Sequence, residues 1–220
     1  MPCCHGQDFD RMFDARRARK DLRAYTKRGA RGPTRRLLDG ILASLREQGN
    51  VSFTHLDIGG GVGVLQHELA RDGAVHTTAV DASRPYLEVL RLAATARGYE
   101  ARQTRTEGDF TDVVDRVEPA TVVTLDKVIC CYPDMATLVR ASARKATALY
   151  GIVVPRDTAW VRTAVGFINW FLRHALRRRF QAFAHSHRAI DQVCGKEGLY
   201  LDRNGCGVLW CIRLYRRIAA

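Results

Sequence analysis

His55-Leu56-Asp57-Ile58-Gly59-Gly60-Gly61-Val62-Gly63 decides how this chain is read. Its first residues close a short apolar run, Phe53 to Ile58, of the length and character of a buried strand. Glycines then fall at 59, 61 and 63, with a fourth at 60, and Leu65 and Leu69 open a helical period that stops at Gly73. A strand ending in closely spaced glycines and opening into a helix brings bare backbone and a helix N-terminus close to a ligand. Dinucleotide enzymes use G-x-G-x-x-G for this and lay a pyrophosphate on the helix dipole. Here the position of their third glycine is Val64. The spacing is instead G-x-G-x-G, with an acid, Asp57, two residues before its first glycine.

Outward from this turn, strands and helices alternate. A second strand ends at Val80-Asp81, 18 residues beyond Gly63. Ser83 is placed to cap the next helix, Pro85 sits in its first turn, and Gly98 follows its end. A third strand near Ala101 to Thr106 leads to Gly108-Asp109-Phe110. Thr121 to Leu125 reads as a buried strand, Met135 to Thr147 as a helix, and Leu149 to Val154 as another strand. Such alternation predicts an α/β fold with a parallel sheet and helices on both faces. Upstream, residues 8–28 read as one or two short basic helices carrying Phe9, Met12, Phe13, Leu22 and Tyr25. Gly29 to Pro33 breaks them, and a helix from Thr34 runs through Leu37, Leu38, Ile41, Leu42 and Leu45. Downstream, Val161, Val165, Ile168, Leu172, Leu176, Phe180 and Phe183 recur at spacings of three and four, predicting an amphipathic helix over 159–183. Leu199 to Asp202 and Val208 to Tyr215 read as strands joined by a tight turn at Asn204-Gly205-Cys206-Gly207.

The G-x-G-x-G spacing with its preceding acid resembles motif I of class I S-adenosylmethionine-dependent methyltransferases. That resemblance implies a Rossmann-like, mostly parallel seven-stranded sheet with an antiparallel C-terminal strand. It further implies a cofactor site at Asp57, Gly59, Gly60, Gly61 and Gly63, with Asp57 organising the turn and reaching the methionyl ammonium. Asp81, with Ala82 and Ser83, follows the second strand, where a carboxylate accepts ribose hydroxyls. Asp109 would meet the adenine amino group and Phe110 would pack on the ring, while Asp126 and Lys127 border the donor from the fourth strand. Asp81 would also serve a nicotinamide dinucleotide, the alternative left open by the glycine turn alone. The organisation expected is a basic helical segment, 1–49, covering the cofactor site, and a methyltransferase domain, 50–220, with a substrate insertion at about 156–198.

Thr124-Leu125-Asp126-Lys127-Val128-Ile129-Cys130-Cys131-Tyr132-Pro133-Asp134 leaves the fourth strand. It is not the Asn-Pro-Pro-Tyr type that grips a nucleobase amine, nor does a proline precede its cysteines as in cytosine-C5 enzymes. Both points argue against nucleic acid as substrate. With the glycine turn, the Cys-Cys-Tyr-Pro-Asp run resembles bacterial small-molecule methyltransferases related to the magnesium-protoporphyrin O-methyltransferases. The likeness also takes in Val153 to Arg156, Asn169 and the Phe180 to His185 stretch, while Cys3-Cys4-His5-Gly6 departs from the pattern. An acidic or aromatic small-molecule acceptor, a tetrapyrrole among them, is implied. A carboxylate acceptor needs cations rather than a base, and Arg156, Arg173 and Arg188, with Asn169, are the candidates. A phenol or amine acceptor needs a general base, for which His185 or His187 is first choice, with Tyr132 lining the pocket.

The 220 residues carry 35 Lys plus Arg against 23 Asp plus Glu, a formal charge of +12. A field of that sign favours anionic partners, which keeps RNA or protein methylation as an alternative beside a pseudoenzyme that binds the cofactor without turnover. Between Asp157 and Asp191 there is no acid, yet six arginines. With Trp160, Phe167, Trp170 and Phe171 beside them, this segment would form a substrate lid or else contact an anionic membrane surface peripherally. No apolar run approaches the roughly 20 residues of a membrane span, and the N-terminus has no apolar signal core. The cytosol is therefore the expected location. Seven cysteines, two pairs of them adjacent, argue against a disulfide framework and lack C-x-x-C zinc spacing. No resident metal is expected, although Cys3, Cys4, Cys130 and Cys131, if the N-terminus folded over the cleft, would form a thiolate cluster that suggests a soft metal or metalloid substrate such as arsenite.

Overall fold

The computed structural model describes residues 13–49, 52–174 and 181–218. One seven-stranded sheet organises them, in the order β3-β2-β1-β4-β5-β7-β6. The strands are β1 (Phe53–Ile58), β2 (Ala74–Asp81), β3 (Gln103–Glu107), β4 (Ala120–Asp126), β5 (Ala146–Pro155), β6 (Leu199–Cys206) and β7 (Trp210–Arg217). The first five pair in parallel, and β7 runs antiparallel to both β5 and β6. This is the Rossmann-like methyltransferase arrangement that the alternating pattern and the motif I resemblance implied. The helices are α1 (Ala15–Arg28), α2 (Gly32–Glu47), α3 (Val64–Arg71), α4 (Arg84–Ala96), a single turn α5 (Phe110–Val113), α6 (Met135–Lys145), α7 (Ala159–His174) and α8 (His187–Lys196).

Both faces of the sheet are covered, and residue alternation shows it. On β4, Val122 packs with Leu37, Leu38, Ile41, Leu65 and Leu69 of α2 and α3. Its neighbour Val123 points the other way, to Leu138, Val139 and Ile190 of α6 and α8. On β5, Leu149 and Val153 join the first core, Ile152 and Val154 the second. A strand apolar on both faces leaves no period-two signal, which is why β4 and β5 read as continuous apolar runs.

Several boundaries differ from the sequence expectations. Pro33 does not extend the break but sits in the first turn of α2, where its missing N–H costs nothing. The single helix α1 accounts for the basic pattern from Ala15 onward; residues 8–12 lie outside the described residues. A 3-10 turn at Glu100–Arg102 delays β3 to Gln103. The helix foreseen over 159–183 ends at His174 among the described residues, and 181–186 has no regular structure. Leu176 and Phe180, expected on that helix, lie outside the described residues.

The C-terminal hairpin turns later than its Asn-Gly signal suggested. Asn204 and Gly205 still pair with Arg213 and Ile212, a bulge at Asp202 resets the register, and the reversal falls at 207–209. Strand β6 is a sheet edge, where ladder constraints on such residues are weakest. The two residues flanking the reversal, Cys206 and Cys211, form a disulfide. The expectation from cysteine number concerned a framework of several bridges and did not foresee this one local link.

Candidate active site

A cleft of about 790 Å³ opens at the carboxyl ends of the first four strands. Gly59, Gly60, Gly61 and Val62 form one wall; Asp81 and Ala82 leave β2, Gly108 to Phe110 leave β3, and Asp126 to Val128 leave β4. Phe13, Arg17 and Asp21, spaced by four along α1 and the turn before it, close the cleft from the N-terminal side. Cys131 and Tyr132 border the far end.

The glycine turn is shaped first by its own neighbours. A Cβ on Gly60 would run into the carboxylate of Asp57, and one on Gly59 would lie 2.7 Å from the Val128 side chain. Asp57 is therefore packed beneath the turn, 1% exposed, and does not line the cleft. Its register partner on β4, Thr124, donates to Asp57 Oδ1 at 2.7 Å. Since that hydroxyl proton is committed, His55 Nε2, 2.8 Å from Thr124 Oγ1, carries the proton of the other bond. Burial lowers the His55 pKa to about 3 and raises that of Asp57 to about 7, the latter against the Thr124 hydrogen bond. The neutral His55–Thr124 pair thus props the acid under the turn.

Asp81, unlike Asp57, lines the cleft. Its Oδ2 accepts from the Gly61 N–H at 3.2 Å and its Oδ1 from the Ser83 N–H at 2.8 Å. Burial raises its pKa to about 6, opposed by those two donors. Ser83 does not line the cleft. It caps α4 and donates its hydroxyl to the Phe13 carbonyl at 2.8 Å, while Tyr86 donates to Asp21 at 2.6 Å. Gly63, N-terminal to α3, packs on Leu90 and likewise lies behind the cleft surface.

On the opposite wall Asp109 caps α5, accepting from the Thr111 N–H at 2.9 Å, and Phe110 is nearly buried. Tyr132 donates to Asp109 at 3.3 Å and lies 2.7 Å from the Thr111 hydroxyl. Lys127 has a left-handed backbone, φ 64°, unlike every other described non-glycine residue. Its Nζ donates to Asp126 at 2.8 Å and to Thr34 of α2 at 3.0 Å, and it stands 5.9 Å over the Trp210 ring.

Of the residues singled out from sequence, Gly59, Gly60, Gly61, Asp81, Ala82, Asp109, Phe110, Asp126, Lys127 and Tyr132 share this cleft. The substrate and base candidates do not line it. His185 Nε2 bonds the Tyr132 carbonyl at 2.9 Å, and His187 Nε2 bonds the Pro155 carbonyl at 2.8 Å. Asn169 clasps the backbone of Ala182 in both directions at 2.8 Å, tying α7 to the segment before α8. Arg156 donates to the Gly207 carbonyl at 3.3 Å, and Arg173 and Arg188 are exposed. Sequence reasoning missed Arg17, Asp21 and Tyr86 as cleft residues. The i, i+4, i+8 spacing of Phe13, Arg17 and Asp21 was the available signal. The Cys130 and Cys131 sulfurs lie 3.8 Å apart; Cys3 and Cys4 lie outside the described residues. Among the described residues no group of three or more His, Cys, Asp or Glu is arranged to hold a metal.

Residues 56–147 match the model of a methyltransferase domain. No curated protein matches the sequence. Among solved structures, magnesium protoporphyrin IX methyltransferase from Synechocystis PCC 6803 with bound S-adenosylhomocysteine is similar at a TM-score of 0.66 and 20% identity, covering 83% of each chain. The same enzyme with bound S-adenosylmethionine gives 0.63 and 18%, over 96% of this chain and 90% of the other. The mitomycin 7-O-methyltransferase MmcR gives 0.59 and 21%, over 83% of this chain and 53% of the other.

Proposed function

We propose that this chain, a class I S-adenosylmethionine-dependent methyltransferase, methylates an oxygen of a small, acidic or aromatic acceptor, with a tetrapyrrole carboxylate in the favoured class. The observation that carries the reading is one cleft with two kinds of wall: bare backbone beside Asp81, and Tyr132 with Cys131 at the far end. The residues present fit the donor. Gly59 to Gly61 leave backbone room, Asp81 holds a carboxylate where ribose hydroxyls need an acceptor, and Asp109 and Phe110 offer the polar and apolar contacts suited to adenine. Asp57 serves from beneath, keeping the turn in shape.

S-adenosylmethionine supplies an electrophilic methyl group. The protein's own task is to hold the acceptor oxygen in line with it and to keep water out. Among the described residues no histidine lines the cleft, whereas Arg17 and Lys127 do. Six carboxylates, Asp21, Asp81, Glu107, Asp109, Asp112 and Asp126, share that lining, so an acceptor that is already an anion would have to seat beside Arg17 and Lys127, and would need no base. Tyr132, fixed by Thr111 and Asp109 on its hydroxyl and by His185 on its carbonyl, would orient the acceptor. His185 then acts as a positioning residue. The likeness to a magnesium protoporphyrin IX methyltransferase and to a mitomycin 7-O-methyltransferase supports the small-molecule class.

Calorimetry with S-adenosylhomocysteine tests the donor site, and labelled methyl donor with fractionated cell extract tests the acceptor. Binding should be tight in wild type and at least roughly tenfold weaker in Asp81→Ala. The label should enter a small molecule and be released by mild alkali, as a methyl ester is and an ether is not. Label recovered in RNA or protein would overturn the acceptor assignment, and binding of NAD instead would overturn the donor assignment.

A further inference from the structure

Helix α7 is the least buried long element of the fold. Of its 16 residues only Val161 is buried, while Trp160, Phe167, Ile168, Trp170 and Phe171 are exposed. Phe167 is 65% exposed and stacks at 5.9 Å on Trp170, which in turn meets His174 at 5.6 Å. Beside the start of α7 stands the tip of the β6–β7 hairpin. The Arg156 N–H donates to the Leu209 carbonyl at 2.8 Å, and at this tip Val208 is 74% exposed and Leu209 50%. These two neighbouring segments therefore hold seven of the eleven large apolar side chains exposed among the described residues. A concentration of that kind on a polar protein marks an interaction surface.

The charge around it selects the partner. Arg156 bonds the Gly207 carbonyl, and Arg36 lies 3.0 Å from where a Gly207 Cβ would stand, so two exposed arginines flank the apolar tip. Arg162, Arg173 and His174 are exposed on α7 itself, and Arg177, Arg178 and Arg179 follow in the sequence. Asp157, paired with Arg162, is the last acid before Asp191. Aromatic and branched side chains with interspersed arginines and no acids suit the headgroup boundary of an anionic bilayer. No helix among the described residues is long and apolar enough to cross one. We infer that α7 and the 207–209 tip form one docking face that seats the protein on an anionic membrane surface. Trp210, at the base of that tip, also lies under Lys127 of the cleft wall. The seated face therefore adjoins the active-site mouth, and an amphiphilic acceptor could pass from lipid to cleft without crossing bulk water.

The chain's three tryptophans, Trp160, Trp170 and Trp210, all lie on or beside this face, so its own fluorescence reports contact. Full-length protein is titrated with vesicles of phosphatidylcholine alone and of phosphatidylcholine with roughly a third phosphatidylglycerol, with brominated acyl chains in a parallel set. The expected result is partitioning to anionic vesicles only, weakened by salt, with a blue shift and quenching by the brominated chains. Phe167→Ser with Phe171→Ser, and separately Val208→Glu, should lower partitioning at least about tenfold while S-adenosylhomocysteine binding is unchanged. That ligand measurement also reports that the variants fold. Binding independent of lipid charge would overturn the inference, and so would variants that partition like wild type. A self-associated species by light scattering, dissolved by the same substitutions, would assign the face to a second copy instead. None of these readouts uses methyl transfer, so they stand or fall separately from the acceptor assignment.

Discussion

Gly60 and Gly61 are neighbours with opposite reasons for lacking a side chain. The space a Gly60 Cβ needs is filled by the Asp57 carboxylate, whereas one on Gly61 would only touch the Tyr86 ring at 3.4 Å, at φ +59°. Gly60→Ala should therefore cost about 1–3 kcal/mol of stability, as overpacking does, and abolish measurable S-adenosylhomocysteine binding. Gly61→Ala should cost only the strain of a left-handed alanine, about 1 kcal/mol, with weaker but detectable binding. Thermal unfolding and calorimetry on the pair separate the two. Asp81 gives a pH prediction. With its pKa raised to about 6, it must lose a proton before it accepts hydroxyls as a carboxylate. Ligand affinity should be level at neutral pH and fall as pH drops through 6, approaching tenfold per unit. Asp57 acts on the fold instead. Its folded pKa, about 7, lies above the unfolded value, so the folded state binds the extra proton and the Asp57 contribution to apo stability falls as pH rises from about 4 to 7, while His55, held neutral by burial, contributes in the opposite direction. Asp57→Asn should remove the first contribution alone, read as the difference between wild-type and variant melts across the window. Motif spacing made both acids legible in the sequence. That Asp57 lies under the turn was not, because spacing cannot tell a carboxylate aimed at a ligand from one packed beneath the same backbone.

Secondary elements were legible wherever local chemistry and tertiary packing agree. Helix α4 is bounded by Ser83, Pro85 and Gly98 as its capping signals require, and β1, β2, β4 and β5 overlap the strands read from the sequence. Two elements departed. The apolar spacing of α7 promised a buried stripe, but Val165, Ile168 and Leu172 are not buried, since periodicity reports amphipathicity without saying what covers it. The hairpin turned late because an edge strand tolerates Asn204 and Gly205 within its ladder. The link between Cys206 and Cys211 closes a very short loop, so its removal as Cys206→Ser with Cys211→Ser should cost about 2 kcal/mol and leave ligand binding intact. Chemical denaturation with and without reductant measures it. Helix α1 is held with little burial: Ala18 is its one buried residue, and Tyr86 to Asp21 and Tyr25 to Glu68 are polar anchors. Tyr86→Phe should weaken ligand binding several-fold with a stability cost near 1 kcal/mol.

At the scale of the whole molecule, the mostly parallel seven-stranded sheet with its antiparallel C-terminal strand was legible through the motif I resemblance, whereas the order of its strands was not read from the sequence. Which outlying segments meet at the strand ends was not accessible, since no local pattern encodes a contact between Phe13 and Ser83 or between Thr34 and Asp126. Helices α1 and α2 precede the span 56–147 matched by the methyltransferase domain, yet they touch both sides of its cleft. Phe13, Arg17 and Asp21 line that cleft, so a nucleoside seated in it would lie against α1, an element with one buried residue of its own. Amide protons along α1 should swap with solvent deuterium faster than those of the sheet, and bound nucleoside should slow them. A segment far from the glycine turn in sequence would then report, by its rate of exchange, whether the cleft is filled.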